Sequence, residues 1–414
     1  MNKLIFIPIL TIILFGIDYY VFQAFKTVFQ DKSAKNIVYY SYWIVSIVSF
    51  IALFAYNFTR PELLGNNVRR FIMVAFFMLY LAKFFVVIIL FLEDIGRLLQ
   101  WIYQKIGNNH STNLDGEGIS RSTFMMKLAL GFGAVPLLGM TYGIFSGAHD
   151  YRVRKHTIKL PKLPDSFHGL KIVQISDIHA GSFFDKEAVK RGIAMILDQK
   201  PDIVFFTGDL VNNMATEMEE YIEVFNKITA PLGVFSCLGN HDYGDYVIWE
   251  NAQAKENNLE ALKNIHAQMG WQLLMNEHKI IERNNEKIAI IGVENWSAKP
   301  QFPKKGKLQQ AYQGADAPIK LLLSHDPTHW DAQVRTKFPD IDITFSGHTH
   351  GAQFGLEWGD IKWSPVKYVY KQWAGLHKEA QQYLYVNRGF GYLGFPGRIG
   401  IFPEITVIEL QKTV

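Results

Sequence analysis

Cysteine is nearly absent: Cys237 stands alone among 414 residues, so an intrachain disulfide and a thiolate zinc cluster are both excluded. It lies in the apolar run Val234–Leu238 and reads as a core residue. A charge excess of either sign is missing as well. Lys and Arg number 42 against 38 Asp and Glu, a net charge of +4. A dedicated nucleic-acid binder would carry clustered basic residues, so no nucleic-acid partner is expected. Long hydrophobic runs are absent after Gly147, where the chain has the composition of an ordinary soluble domain, yet they crowd the part before it. The length accommodates both kinds of domain, 1–147 and 148–414.

Four runs, Leu4–Phe22, Ile37–Tyr56, Phe71–Leu92 and Phe124–Phe145, reach the roughly 20 apolar residues a transmembrane helix needs. Residues 84–92 are apolar on every helical face, and Tyr19, Tyr20, Tyr39, Tyr40 and Trp43 lie near span ends, where aromatic belts belong. The expectation is a multi-pass cell-membrane protein with membrane lipids as its surroundings. Of the charges in these runs, Asp18 and Lys127 are expected to snorkel from near span ends, leaving mid-span Lys83 in need of a partner. Glu93–Ile106 spaces apolar and charged residues at helical intervals and is expected to lie along the interface, followed by a loop over Asn108–Gly118. Basic residues flank both sides of the spans almost equally. The stretch from Ser120 to Lys127 resembles a twin-arginine export signal with Ser122 in place of the second arginine, which leans the C-terminal domain toward the extracytoplasmic side.

From Arg152 onward short β-rich runs alternate with helical ones, the pattern of an α/β layered domain. Lys171–Ser176, Ile203–Thr207, Val234–Leu238, Lys287–Val293, Ile319–Ser324, Ile341–Phe345 and Tyr383–Asn387 read as buried strands. Glu187–Gln199, Glu217–Thr229 and Glu256–Met269 read as amphipathic helices. Ligand sites in such sheets gather at the carboxyl ends of strands. Five strand ends here each deliver metal-capable groups: Asp177-Ile-His179, Gly208-Asp209, Gly239-Asn-His-Asp242, His325-Asp-Pro327 and Gly347-His-Thr-His-Gly351. Any one of these would be weak, but all five follow buried strands. Imidazoles, carboxylates and an amide in this number suit two first-row metals better than one.

The series Asp177-x-His179, Gly208-Asp209, Gly239-Asn-His241-Asp242, His325, Gly347-His-x-His350 resembles the signature of the calcineurin-like metallophosphoesterases, complete and in order. The resemblance extends over Tyr151–Leu410. It is nearest to a membrane-anchored bacterial branch, through Asn387-Arg-Gly-Phe-Gly391, Pro396-Gly-Arg398 and Pro403-Glu-Ile-Thr406. It implies a four-layer αββα sandwich behind a four-helix membrane block. It also implies two divalent ions (Mn, Fe or Zn), the first held by Asp177, His179 and His350 and the second by Asn240, His325 and His348. Asp209 would bridge them, which suits a carboxylate, and two cations so held can clamp a phosphate while sharing a hydroxide nucleophile. His241 would face the substrate and protonate the leaving oxygen, with Asp242 orienting its ring.

The substrate is less constrained. Aromatic and basic residues follow two of the motifs: Tyr243, Tyr246 and Trp249 in one case, Phe354, Trp358, Trp363, Tyr368, Tyr370, Lys371 and Trp373 in the other. They suit a lipid-accepting groove or headgroup contacts, or else packing against the protein's own helices. Tyr243, Arg388 and Arg398 are candidates for substrate contact. The expected activity is metal-dependent hydrolysis of a lipid or lipid-linked phosphoester. The alternatives are a phosphodiesterase for soluble nucleotides, anchored by the membrane block, and a non-catalytic receptor on the same fold.

Overall fold

The computed structural model describes residues 3–107, 121–359 and 361–413, and the chain divides into two compact units, Met1–Thr141 and Tyr142–Val414. The expected loop over Asn108–Gly118 lies outside the described residues, as does Ser120 of the export-signal resemblance.

The first unit is helical: α1 (Lys3–Phe29), α2 (Lys35–Phe58), α3 (Pro61–Gly107) and α4 (Arg121–Phe145). Each contains a stretch long and apolar enough to cross a membrane. Two expectations are corrected. Glu93–Ile106 continues α3 without a break, because no proline interrupts the sequence there and Glu93 pairs with Arg97 one turn on. Asp18 does not snorkel: α1 extends to Phe29, so Asp18 lies well inside it and is fully buried. It is the partner that Lys83 requires. The Lys83 ammonium bonds Asp18 and donates to Ser46 Oγ at 3.0 Å, while the Tyr80 hydroxyl donates to Asp18 Oδ2 at 3.1 Å.

The second unit stacks two six-stranded sheets between helices. One sheet has the order β1-β14-β2-β3-β4-β5, built from β1 (Arg152–Leu160), β2 (Leu170–Ile175), β3 (Ile203–Thr207), β4 (Val234–Cys237), β5 (Gln272–Leu273) and β14 (Glu404–Lys412). The other runs β12-β13-β9-β8-β7-β6, from β6 (Glu277–Arg283), β7 (Glu286–Gly292), β8 (Ile319–Leu323), β9 (Ile343–Ser346), β12 (Gly375–Glu379) and β13 (Gln382–Val386). A separate hairpin pairs β10 (Leu356–Trp358) with β11 (Ile361–Trp363). β2, β3 and β4 run parallel, as do β7, β8, β9 and β13. Strands covered on both faces need apolar residues on both, which is why IVFFT and IKLLL read as continuous runs. Phe205, Phe235, Phe345 and Cys237 fill the layer between the sheets. Outside the first sheet, α5 (Lys186–Asp198) and α7 (Ala252–Gln268) cover Val173, Val204 and Phe206. The helix expected over Glu217–Thr229 is broken into a short 3-10 turn at Ala215–Met218 and α6 (Ile222–Phe225). Glu217 turns back to accept N–H bonds from Asn212, Asn213 and Met214, capping the start of the 3-10 turn.

Candidate metal centre

The parallel strands of both sheets deliver their carboxyl ends to one place. β2 ends in Ser176-Asp177, β3 in Gly208-Asp209, β4 in Gly239-Asn240, β8 in Ser324-His325 and β9 in Gly347-His348. Crowding five loops together requires residues without a Cβ. A Cβ on Gly347 would come within 1.9 Å of Ser176 Oγ and 2.2 Å of Asp177 Oδ2, and one on Gly239 within 2.2 Å of Asp209 Oδ1. The ligand-bearing residues themselves take the left-handed conformation. Asp177, His179, Asp209, His348 and His350 have φ of 52°, 49°, 62°, 74° and 49°, a region costly for non-glycine residues.

Two clusters result. Asp177, His179 and His350 form one; Asp209, His325 and His348 form the other. In the first, the Nε2 atoms of His179 and His350 lie 3.0 Å apart, and His350 Nε2 is 3.2 Å from Asp177 Oδ1. In the second, His325 Nε2 is 3.2 Å from His348 Nδ1, which also faces Asn240 Oδ1 at 2.8 Å. Asp209 Oδ2 lies between them, 3.1 Å from His325 Nε2 and 3.5 Å from His179 Nε2. Its other oxygen accepts the His241 N–H at 2.8 Å.

Outer contacts fix which ring nitrogen faces inward. His325 Nδ1 donates to the Thr207 carbonyl at 2.7 Å, leaving Nε2 for the centre. His348 turns Nδ1 inward, with Nε2 2.8 Å from the Tyr370 hydroxyl and 3.5 Å from the Asp326 carboxylate. Asn240 points Oδ1 inward because its Nδ2 donates to the Tyr246 hydroxyl at 2.8 Å. Burial strongly disfavours charge on these rings: it lowers His179 to about 3 and His348 to about 4. It would do the same at His325, but the charge and hydrogen bond of Asp209 prevail and raise it to about 10. Imidazole nitrogens, those of His179 and His348 kept neutral by burial, converge with shared carboxylates at hydrogen-bond distances, which is the chemistry of a cation site, and the donor set fits two first-row divalent ions.

His241 is half-buried at the edge of this centre, its ring 4.9 Å from that of His179 and 4.4 Å from that of Tyr246. Its Nδ1 donates to the Asn212 carbonyl at 2.7 Å, which frees Nε2 for a ligand. The ring is thus held by Asn212 and not, as expected, by Asp242. The Asp242 carboxylate accepts the N–H groups of Asp209, Leu210 and Gly239 at 2.9, 2.8 and 2.8 Å, bracing the loops after β3 and β4. Burial and the nearby Asp209 charge raise its pKa to about 7.

The three residues expected to contact substrate are buried and engaged within the protein, Arg398 reaching the centre itself with Nη2 3.3 Å from His350 Nδ1. Tyr243 is buried, and its hydroxyl meets Glu294 and the Asn295 N–H. Arg388 is fully buried against Glu404 and Glu357. Arg398 is fully buried, donating to the carbonyls of Arg388 at 2.8 Å and Gly391 at 3.0 Å. A buried charge needs paired partners, and these partners occupy the groups a substrate would need. Sequence reasoning missed Asn212, which acts through its main chain and so leaves no residue-type signal. Tyr246 and Tyr370 belong to the aromatic segments already noted, but only the fold brings them to Asn240 and His348.

Comparison with known proteins agrees with this geometry. A family model described as "Calcineurin-like phosphoesterase" matches residues 170–352, and one described as "Probable Calcineurin-like phosphoesterase, transmembrane domain" matches residues 2–148. The uncharacterized metallophosphoesterase YkuE of Bacillus subtilis is 31% identical over 303 residues, 71% of this chain and 99% of that protein. The transmembrane protein with metallophosphoesterase domain of Bos taurus is 25% identical over 405 residues, 95% of this chain and 86% of its own. The UDP-2,3-diacylglucosamine pyrophosphatase LpxG of Chlamydia trachomatis is 29% identical over 307 residues, 62% of this chain and 89% of that protein. With five strand ends converging on two metal-ligand clusters, and a multi-pass membrane block on the same polypeptide, the chain belongs to the calcineurin-like metallophosphoesterases and is a metal-dependent hydrolase.

Proposed function

We propose that this protein hydrolyses a phosphoester of a lipid or lipid-linked substrate at the membrane that holds it. The observation that carries the reading is the union, in one chain, of the two metal-ligand clusters with four apolar helices long enough to span a bilayer. The relative in Chlamydia trachomatis is named for a pyrophosphatase activity on a diacylated sugar nucleotide, a substrate class compatible with such a site.

In this reading Asp177, His179 and His350 hold one cation and Asn240, His325 and His348 the other, with Asp209 between them. Two such cations supply charge stabilisation for a phosphoryl group and acidify a water. The remaining work falls to the protein. His325 and Asn240 are held in their ligating orientation by the Thr207 carbonyl and the Tyr246 hydroxyl. His241, with Nδ1 tied to Asn212, presents Nε2 to the leaving-group oxygen and gives it a proton. Asp242 keeps the loops carrying Asp209 and Asn240 in register. A phosphate-release screen of the purified full chain tests the reading: hydrolysis of membrane lipid phosphates, lost in His241→Ala, supports it. Turnover of cyclic or linear nucleotides with no turnover of lipid phosphates overturns the substrate assignment.

A further inference from the structure

The β10–β11 hairpin turns its apolar residues outward and one of its two charged residues, Glu357, inward, while Lys362 stays exposed. Register pairs Leu356 with Trp363, Glu357 with Lys362 and Trp358 with Ile361, so alternation puts the four apolar side chains on one face and the two charged ones on the other. A hairpin lying on a soluble protein buries its apolar face. Here Trp358 is 80% exposed, Ile361 64% and Leu356 53%, whereas the Glu357 side chain is only 10% exposed. Glu357 points inward to Arg154 and to Arg388, whose Nε and Nη2 approach its Oε1 at 3.0 and 2.6 Å. Arg388 in turn pairs with buried Glu404. The base is also fixed through the main chain, the Gly355 N–H donating to the Ile399 carbonyl at 2.9 Å. The outward apolar face therefore sits on an ionic anchor that would be broken if the hairpin turned over.

We propose that this hairpin is a membrane-interface finger, its Leu356/Trp358/Ile361/Trp363 face entering the headgroup and upper acyl region of a phospholipid bilayer. Three observations favour a bilayer as the occupant. The same polypeptide carries four candidate spans, and six residues separate the end of α4 at Phe145 from the start of β1 at Arg152. Six residues reach at most about 20 Å, so the unit bearing the hairpin stays tethered to the membrane block. The composition is that of interfacial anchors, with tryptophan prominent. Beyond the hairpin, exposed Tyr368 lies beside exposed Lys367, whose ammonium is 5.2 Å from its ring, and exposed Lys371 follows, a basic rim suited to anionic headgroups.

The finger is spliced into the metal centre itself. The chain leaves the centre at His350, forms the hairpin, and returns at Tyr370, whose hydroxyl is 2.8 Å from His348 Nε2. Ser364, just past β11, donates to the Gly351 carbonyl at 2.8 Å. Lipid engagement thus holds the segment that carries ligands of both clusters. The inference rests on the membrane-bound nature of the chain and does not require a lipid substrate.

The full chain in nanodiscs of phosphatidylcholine and phosphatidylglycerol provides the test. Cys237 is fully buried, so Trp358→Cys, Ile361→Cys and, as a reference, exposed Glu282→Cys can each be labelled with an environment-sensitive fluorophore. The expected result is several-fold stronger quenching of the two hairpin positions than of the reference by lipid carrying an acyl-chain nitroxide, with protection from aqueous iodide. Iodide quenching of the hairpin labels equal to that of the reference would place the finger in water and overturn the proposal. Protection from both quenchers would show protein covering it, the chain's own helices or a second copy, and would overturn it equally. Since no hydrolysis is read, failure here is distinguishable from failure of the substrate assignment.

Discussion

At the scale of single residues, His241 stands at the edge of the centre, outside both metal-capable clusters. Its Nδ1 bond to the Asn212 carbonyl leaves Nε2 free for the proton-donor role proposed above. His241→Ala is expected to lower kcat by about 10²- to 10⁴-fold while metal content, read by inductively coupled plasma mass spectrometry, stays at the wild-type level. A ligand substitution would lower both, so the pair of measurements separates proton donor from ligand. His266 gives a second prediction, on stability. It is fully buried, with Nδ1 3.0 Å from Ser236 Oγ, and burial lowers its pKa from 6.5 to about 3. The unfolded chain takes up a proton near 6.5 that the folded chain refuses until about 3, so stability falls as pH falls through that window. His266→Gln should therefore lose less thermal stability than the wild type between neutral pH and pH 4, measured as the slope of Tm against pH. A slope equal to that of the wild type would assign the acid sensitivity to other groups.

At the scale of elements, α1 and α3 are pinned by the Asp18–Lys83 pair and its collar of Ser46 and Tyr80. Removing one partner strands the other charge in an apolar interior. Asp18→Asn is thus expected to cost the helical unit about 3–5 kcal/mol, and Asp18→Asn with Lys83→Met to recover part of that loss, both read by thermal denaturation in detergent micelles. The pair also marks a boundary of what sequence reveals. Lys83 is conspicuous within an unbroken apolar run, but Asp18 reads as a span-end residue because the apolar run stops at Phe22, seven residues before Phe29 where the helix ends. In the catalytic unit the strands bearing the ligands were legible, since burial on both faces leaves continuous β-branched and aromatic runs such as IVFFT. The edge strands β1 and β6 were not. RVRKHTIKL and EHKIIER are each covered on one side and exposed on the other, and their charge hides the alternation. The residues that converge in the two clusters are readable from their place after those strands. What Asp242 and Arg398 do is not, because both are consumed by main-chain groups that only the folded loops bring near.

At the scale of the whole molecule, two compact units on one chain predict two unfolding transitions, of which metal removal should move only one. Ions at a hundredfold excess over Kd stabilise the native state by about 2.7 kcal/mol per site. Chelation should therefore lower the Tm of the catalytic unit and leave that of the helical unit in place, as seen by scanning calorimetry in micelles, and re-adding Mn, Fe or Zn should restore it. The left-handed backbone at Asp177, His179, Asp209, His348 and His350 bears on how long such a protein lasts. Each non-glycine residue so placed costs on the order of 1–3 kcal/mol, a strain tolerated because the ligands have to point inward from crowded loops. Asparagine occupies that region more readily than most side chains. Burial raises the Asp177 carboxyl to about 6, so in the presence of chelator at neutral pH Asp177→Asn is expected to melt above the wild type while hydrolysing nothing. Durability and turnover are opposed at these positions, so selection for a longer-lived fold alone would erode the catalyst first.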